Sequence, residues 1–123
     1  MYTLLYLDMV ASLYGSGTTS AIDSGAGSIG SLYAINRNSS VRYVQFFDAI
    51  NSTSGTPAYT FAIPPGTSTS PGILVLGNDY FCPFQYSMFR MAVGCTLAIS
   101  TTETTYSAAT ASDHSVVLTY LEG

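Results

Sequence analysis

His114 is the only histidine of the chain, and it stands between Asp113 and Ser115. Carboxylate, imidazole and hydroxyl are the parts of a nucleophilic triad, in which the ring takes the proton of the serine and the acid orients the ring. Adjacent side chains of a strand point to opposite faces, so His114 and Ser115 do not meet on an extended backbone. The sequence therefore reads His114 as a loop histidine ahead of the last strand. Structural zinc takes four Cys or His ligands in close pairs. Cys82, Cys95 and His114 are scattered, and no pair forms. The five aspartates do not gather into a calcium loop. Cys82 and Cys95 could form a disulfide, but the pair does not read as a framework, and with Cys95 on the apolar side of a strand they read as two reduced, mostly buried thiols. No catalytic, cofactor or metal set assembles, and the expectation is a protein that is not an enzyme.

Two further patterns have simpler readings. Gly25, Gly27 and Gly30, in SGAGSIG, have dinucleotide-fingerprint spacing. A true fingerprint follows a strand and opens a helix. The next residues, SLYAIN, look like a strand, so residues 24–30 read as a glycine loop. Asn38-Ser39-Ser40 and Asn51-Ser52-Thr53 match the glycosylation sequon. Residues 1–10 lack a basic region and are interrupted by Asp8, which reads against a signal peptide. Both sequons then read as turn chemistry.

The elements that would position any site are set by an unusual composition. The chain has 123 residues, 47% of them apolar and 8% charged, with Arg37, Arg42 and Arg90 as the only basic residues. An average soluble domain is about 25% charged. The formal net charge of −4 argues against nucleic acid and anionic membrane surfaces as partners. A mean hydropathy of +0.31 argues against disorder. No apolar run approaches the about 20 residues of a membrane helix. Ten tyrosines and few charges point to surface buried in an assembly, because tyrosine is enriched at interfaces.

Strand-like runs separated by turn clusters fill the chain. Residues 1–14 are apolar on both faces, and residues 15–19 are small and flexible. Residues 1–20 are thus an apolar arm with a joint, or the first strand of the same domain. Residues 21–123 form the body. Residues 32–36 and 41–48 read as strands, with Val44 and Phe46 as a core pair. Tyr43 and Phe47 are left over on the opposite face, on either side of Gln45. Residues 58–63 alternate Tyr59, Phe61 and Ile63 against small residues, and Pro64-Pro65 ends them. Residues 73–76 read as a short buried strand. Residues 79–91 are crowded with aromatics and read as a packed loop with a short strand. Residues 93–100 read as a half-buried strand, 101–112 as a loop and 116–121 as the last strand. No segment shows a helical repeat. The expected fold is an all-β single-domain sandwich or jelly roll.

Residues 31–100 resemble a family of small virion structural proteins of tailed bacteriophages. The matching residues are Leu32-Tyr33-Ala34, Asn36, Arg42-Tyr43-Val44-Gln45-Phe46-Phe47-Asp48, Thr56-Pro57, Ile63-Pro64 and Val93-Gly94-Cys95-Thr96-Leu97-Ala98-Ile99-Ser100. The Thr/Ala-rich run from Tyr106 also fits. Gln45 stands where the family pattern often has lysine, and Ala34 where it has glycine. Residues 80–91 are longer and more aromatic than the pattern. The resemblance implies a β-sandwich on the capsid exterior, assembled in the bacterial cytoplasm. It implies a cement or decoration protein that binds the major capsid protein and itself as a trimer or dimer. The alternatives are a tail, baseplate or fibre component, or a carbohydrate-binding module. Interface residues are expected at Tyr2, Leu4, Tyr6, Tyr43 and Phe47, then Tyr80, Phe81 and Phe84. Neither nucleic acid, a membrane nor a cofactor is expected as a partner.

Overall fold

The computed structural model describes residues 4–10, 19–23, 25–77 and 89–122. They form two antiparallel sheets and no α-helix, the arrangement of a β-sandwich. The strands are β1 (Leu4–Val10), β2 (Thr19–Asp23), β3 (Gly27–Asn36), β4 (Arg42–Phe47), β5 (Tyr59–Ile63), β6 (Gly72–Leu76), β7 (Phe89–Met91), β8 (Cys95–Ser100) and β9 (His114–Glu122). The first sheet has the order β1-β9-β3-β6, with β7 also paired to β3. The second has the order β2-β8-β4-β5.

The all-β architecture follows from the sequence pattern, but several boundaries differ from it. β1 pairs along its length with β9, from Leu4 opposite Leu121 to Val10 opposite Ser115, so this part of residues 1–14 is an edge strand of the sheet. β2 was not visible in the sequence, because TSAID carries no apolar alternation. β3 begins at Gly27, within the expected glycine loop. Its register against β9 shifts between Ile29 and Ser31. That bulge at Gly30 is the use of the glycine. It also reverses the facing, so that Ile29 and Leu32, three apart, are both buried. β8 is not half-buried: all six of its residues are buried. It lies between β2 and β4, and its outer face is covered by loops. Val93 falls before the strand and is exposed.

The core lies between the sheets. Ile29, Leu32, Ala34, Val116 and Leu118 face Val44, Phe46, Ile63, Leu97 and Ile99. The Phe46 ring packs edge-on to Phe89 with centroids 4.9 Å apart, and Tyr59 stacks on the same Phe89 at 4.2 Å. Edge-to-face and offset stacking are the arrangements that ring quadrupoles favour. The burial of Val44 and Phe46 is as the alternation predicts.

Candidate interaction surface

The two outer faces of the sandwich are treated in opposite ways. On the second sheet, the outward residues of β4 are Tyr43, Gln45 and Phe47, with Ser100, Ala98 and Thr96 of β8 opposite them. Most of this face is buried by the chain's own loops. Gln45 Nε2 donates to the carbonyls of Thr102, Glu103 and Thr105 at 2.9, 3.1 and 3.0 Å. Ser100 Oγ donates to the Thr105 carbonyl, accepts from the N–H of Ser107 and thereby closes the loop over the sheet. Thr60 Oγ1 reaches the Glu103 carbonyl from β5. At the other end, Thr96 Oγ donates to the Ala49 carbonyl and accepts from the N–H of Ser52.

These loops correct the expectation for Phe47. It is 2% exposed, because the turn after β4 folds back over its cross-strand partner Thr96. Tyr43, at the far end of the strand, is half-buried. The two are therefore not the exposed aromatic pair that face counting gives. Of the other expected interface residues, Leu4 and Tyr6 lie in β1, opposite Leu121 and Thr119 of β9. Tyr2, Tyr80, Phe81 and Phe84 lie outside the described residues, as do the joint at 15–18 and Cys82. Cys95 is fully buried.

The first sheet has no such cover among the described residues. Tyr33 and Ile35 of β3 face outward between Val117 and Ser115 of β9 on one side and Val75 and Ile73 of β6 on the other. Tyr33, Ile35 and Val117 are half-buried, while Ile73 and Val75 are 49% and 50% exposed. β6 is thus not the buried strand the sequence implied. Leu74 and Leu76 pack on the core, and Ile73 and Val75 stand in water. An unbroken GILVL run reads as buried on both sides, and no polar residue marks the outward positions. Ile73 and Val75 lie beside Ile35 and Tyr33, so the apolar residues of this face are neighbours.

The polar end of the sandwich gathers the residues that could have done chemistry. His114 is the first residue of β9 and not a loop residue. It is 1% exposed, turned inward opposite Asn36. Neither ring nitrogen makes a well-aligned hydrogen bond, the Thr110 backbone offering only a weak one, and Arg42 Nε is buried and unpartnered. Burial holds the imidazole pKa down at about 4; Asp113 and the Thr110 carbonyl oppose this, and Arg42 and Arg37 reinforce it. Ser115 points to the other face and accepts from Arg37 Nη2 at 3.0 Å, so histidine and serine do not pair. Asn38 Nδ2 donates to Asp113 at 2.8 Å, and the Asn36 amide donates to the carbonyls of Ser40 and Pro64. The Asn36 and Asn38 side-chain oxygens accept from the N–H two residues on, at 2.9 Å each, which are the local turns expected of the Asn-Ser-Ser motif.

Asp48 closes the end of β4. Its carboxylate accepts from the N–H groups of Ala92, Val93 and Gly94 at 3.2, 2.8 and 3.2 Å. The Val93 bond, with those of Ala92 and Gly94, holds its carboxyl below the usual range against the opposing effect of burial. Successive N–H groups of this kind form a concave anion site, here filled by the chain's own carboxylate. Among the described residues, no group of three or more His, Cys, Asp or Glu could hold a metal ion, and no helix is long and apolar enough to cross a membrane. No protein-family model, curated protein or solved structure matches the chain.

Proposed function

We infer that this chain is a non-enzymatic virion structural protein, a capsid cement or decoration protein that binds the assembled major capsid lattice. The observation that carries the binding role is the outer face of the first sheet, which no described loop covers and where Ile73 and Val75 are about half exposed in a chain with few charges. The virion assignment rests on the residues of 31–100 that resemble the phage family. A protein of this kind stabilises by binding the assembled shell and not its free subunits, so its effect grows with its concentration relative to Kd.

The test is to mix the purified chain with expanded, undecorated heads. Saturable binding and a higher melting temperature of the heads are expected, together with weaker binding by Ile73→Ser/Val75→Ser. Absence of binding to heads would remove the cement role. Binding to tails at a few to dozens of copies per virion would replace it with a tail or baseplate role.

A further inference from the structure

Arg42 is the arginine that alternation turns inward. It opens β4 in the row of Val44 and Phe46 and lies opposite Ile63 of β5. The carbonyl of the next residue, Pro64, accepts from Asn36, which is opposite His114. Arg42, Asn36 and His114 therefore meet at one mouth of the sandwich, where the Arg42 charge is near enough to act on the imidazole. The guanidinium is used on one side only. Nη1 donates to the carbonyl of Val41 at 3.0 Å, while Nε is buried and unpartnered. Nε and Nη2 carry the two parallel N–H groups that grip a carboxylate bidentately, and this is the edge left over. The chain brings no carboxylate to it. Asp113 accepts from Asn38 Nδ2 at 2.8 Å, and Arg42 forms no ion pair among the described residues. Asp8 takes the register position opposite Val117, in the outward row. Residues 11–18, which continue from β1 at this end, include no acid, and Asp79 follows Gly77 beyond the other end of β6.

We propose that this mouth is a carboxylate-binding site, with the Nε–Nη2 edge of Arg42 as the bidentate donor and His114 and Asn36 as its inner wall. A partly buried charge without a counter-ion and a buried donor without an acceptor are both costly, and one anion relieves both. A planar group with two oxygens matches two parallel N–H groups better than a spherical or tetrahedral ion does. Arg37, the other cation of this end, is bonded to Ser115 and adds to the positive charge. Arg37 and Arg42 against Asp113 make this end positive in a chain of net charge −4, which draws an anion here rather than elsewhere. Nε is closed off from water, so the ligand displaces part of the turn at 39–41, whose residues are exposed, as it enters. That cost makes the binding of a free carboxylate weak. An Asp or Glu side chain of a partner protein presents the same group. The site lies at an end of the sandwich and is independent of the outer face of the first sheet.

The test follows the Arg42 Nε–H signal by heteronuclear NMR on the full chain without heads, at pH 7 and constant ionic strength, so that its failure is distinct from failure of the capsid role. Acetate should move that signal saturably. The Nε–H signal of Arg90, which lies on β7 opposite Ser28 at the far end, should stay in place. Arg42→Lys keeps the charge and removes the two-pronged edge. It should raise the Kd for acetate at least about tenfold, read from the amide signals of Asn36 and His114. Circular dichroism melting checks that the variant folds, and the Nε–H signal tests the unaltered chain whether it does or not. A capped Gly-Glu-Gly peptide that binds at least as tightly as acetate assigns the ligand to a protein side chain. Binding of acetate alone assigns it to a free small carboxylate. No saturable shift up to about 100 mM acetate overturns the proposal. So does an equal shift with chloride, a preference for phosphate over acetate, or an unchanged Kd in folded Arg42→Lys.

Discussion

Lowering the pH from 7 to 5 should destabilise this protein through His114. The ring is buried with neither nitrogen well bonded, and its pKa is held at about 4 in the folded chain against 6.5 as the ordinary value. The unfolded chain therefore takes up the proton first as pH falls. Stability from this group is complete above pH 6.5, declines between 6.5 and about 4, and is flat below. Integrating the difference in bound protons from pH 7 to pH 5 gives a loss of about 2 kcal/mol. For a domain of this size that lowers Tm by roughly 6–10 °C. Asp48 does not interfere, because its carboxyl titrates below its ordinary 3.8. The assay is urea unfolding at a series of pH values, on the native chain and on His114→Leu. The variant nearly keeps the volume and removes a buried ring with no well-aligned hydrogen bond, so at pH 7 it should be neutral or slightly stabilised. Its stability should be nearly independent of pH between 7 and 5. An undiminished slope in His114→Leu, or a ring titrating near 6.5 by NMR in the folded chain, would refute the reasoning.

Gln45→Leu should cost about 2–3 kcal/mol in urea unfolding, because it strips donors from three clustered carbonyls. Hydrogen exchange across residues 101–107 should speed up in that variant. Gln45→Lys, which restores the residue of the resembled pattern and offers three N–H donors to the same carbonyls, should recover more than half of the loss. Gly72→Ala should cost about 3 kcal/mol by thermal melting, since its Cβ meets the Pro64 carbonyl and backbone cannot swing aside.

The parts of the fold that were legible in the sequence are those governed by local alternation. Val44 and Phe46 on one face of β4, and Phe61 and Ile63 on one face of β5, follow from period two alone. What was not legible depends on contacts distant in sequence. Phe47 counts as surplus by alternation, and only the return of the turn at 48–52 onto Thr96 buries it. Gln45 is polar and mid-strand, which by pattern means solvent; it is fully buried because a loop nearly 60 residues on closes over it. His114 looks like a loop residue until β9 is seen to start there, opposite Asn36. The candidate surface was the least legible part. GILVL carries no polar residue to mark which side faces water, so a strand with one exposed face and one with none have the same sequence signature.

The contrast between the two outer faces gives the molecule a direction. Covering the second sheet requires ordering loops whose backbone entropy costs about 1–2 kcal/mol per residue, offset by the Gln45, Ser100, Thr60 and Thr96 hydrogen bonds. That face is closed within one chain and offers a partner mostly its own loop backbone. The described chain supplies no equivalent for the first sheet, where β-branched residues at the β6 edge remain about half in water. Serine and threonine do not take those outward positions, although the chain uses them freely in its loops. A monomer under no demand to bind would gain solubility from a polar residue at Ile73 or Val75 without losing any core contact, since Leu74 and Leu76 make those. The half-exposed Ile73 and Val75, beside Ile35 and Tyr33 of β3, are the observation on which the proposal of a subunit contact at this face rests.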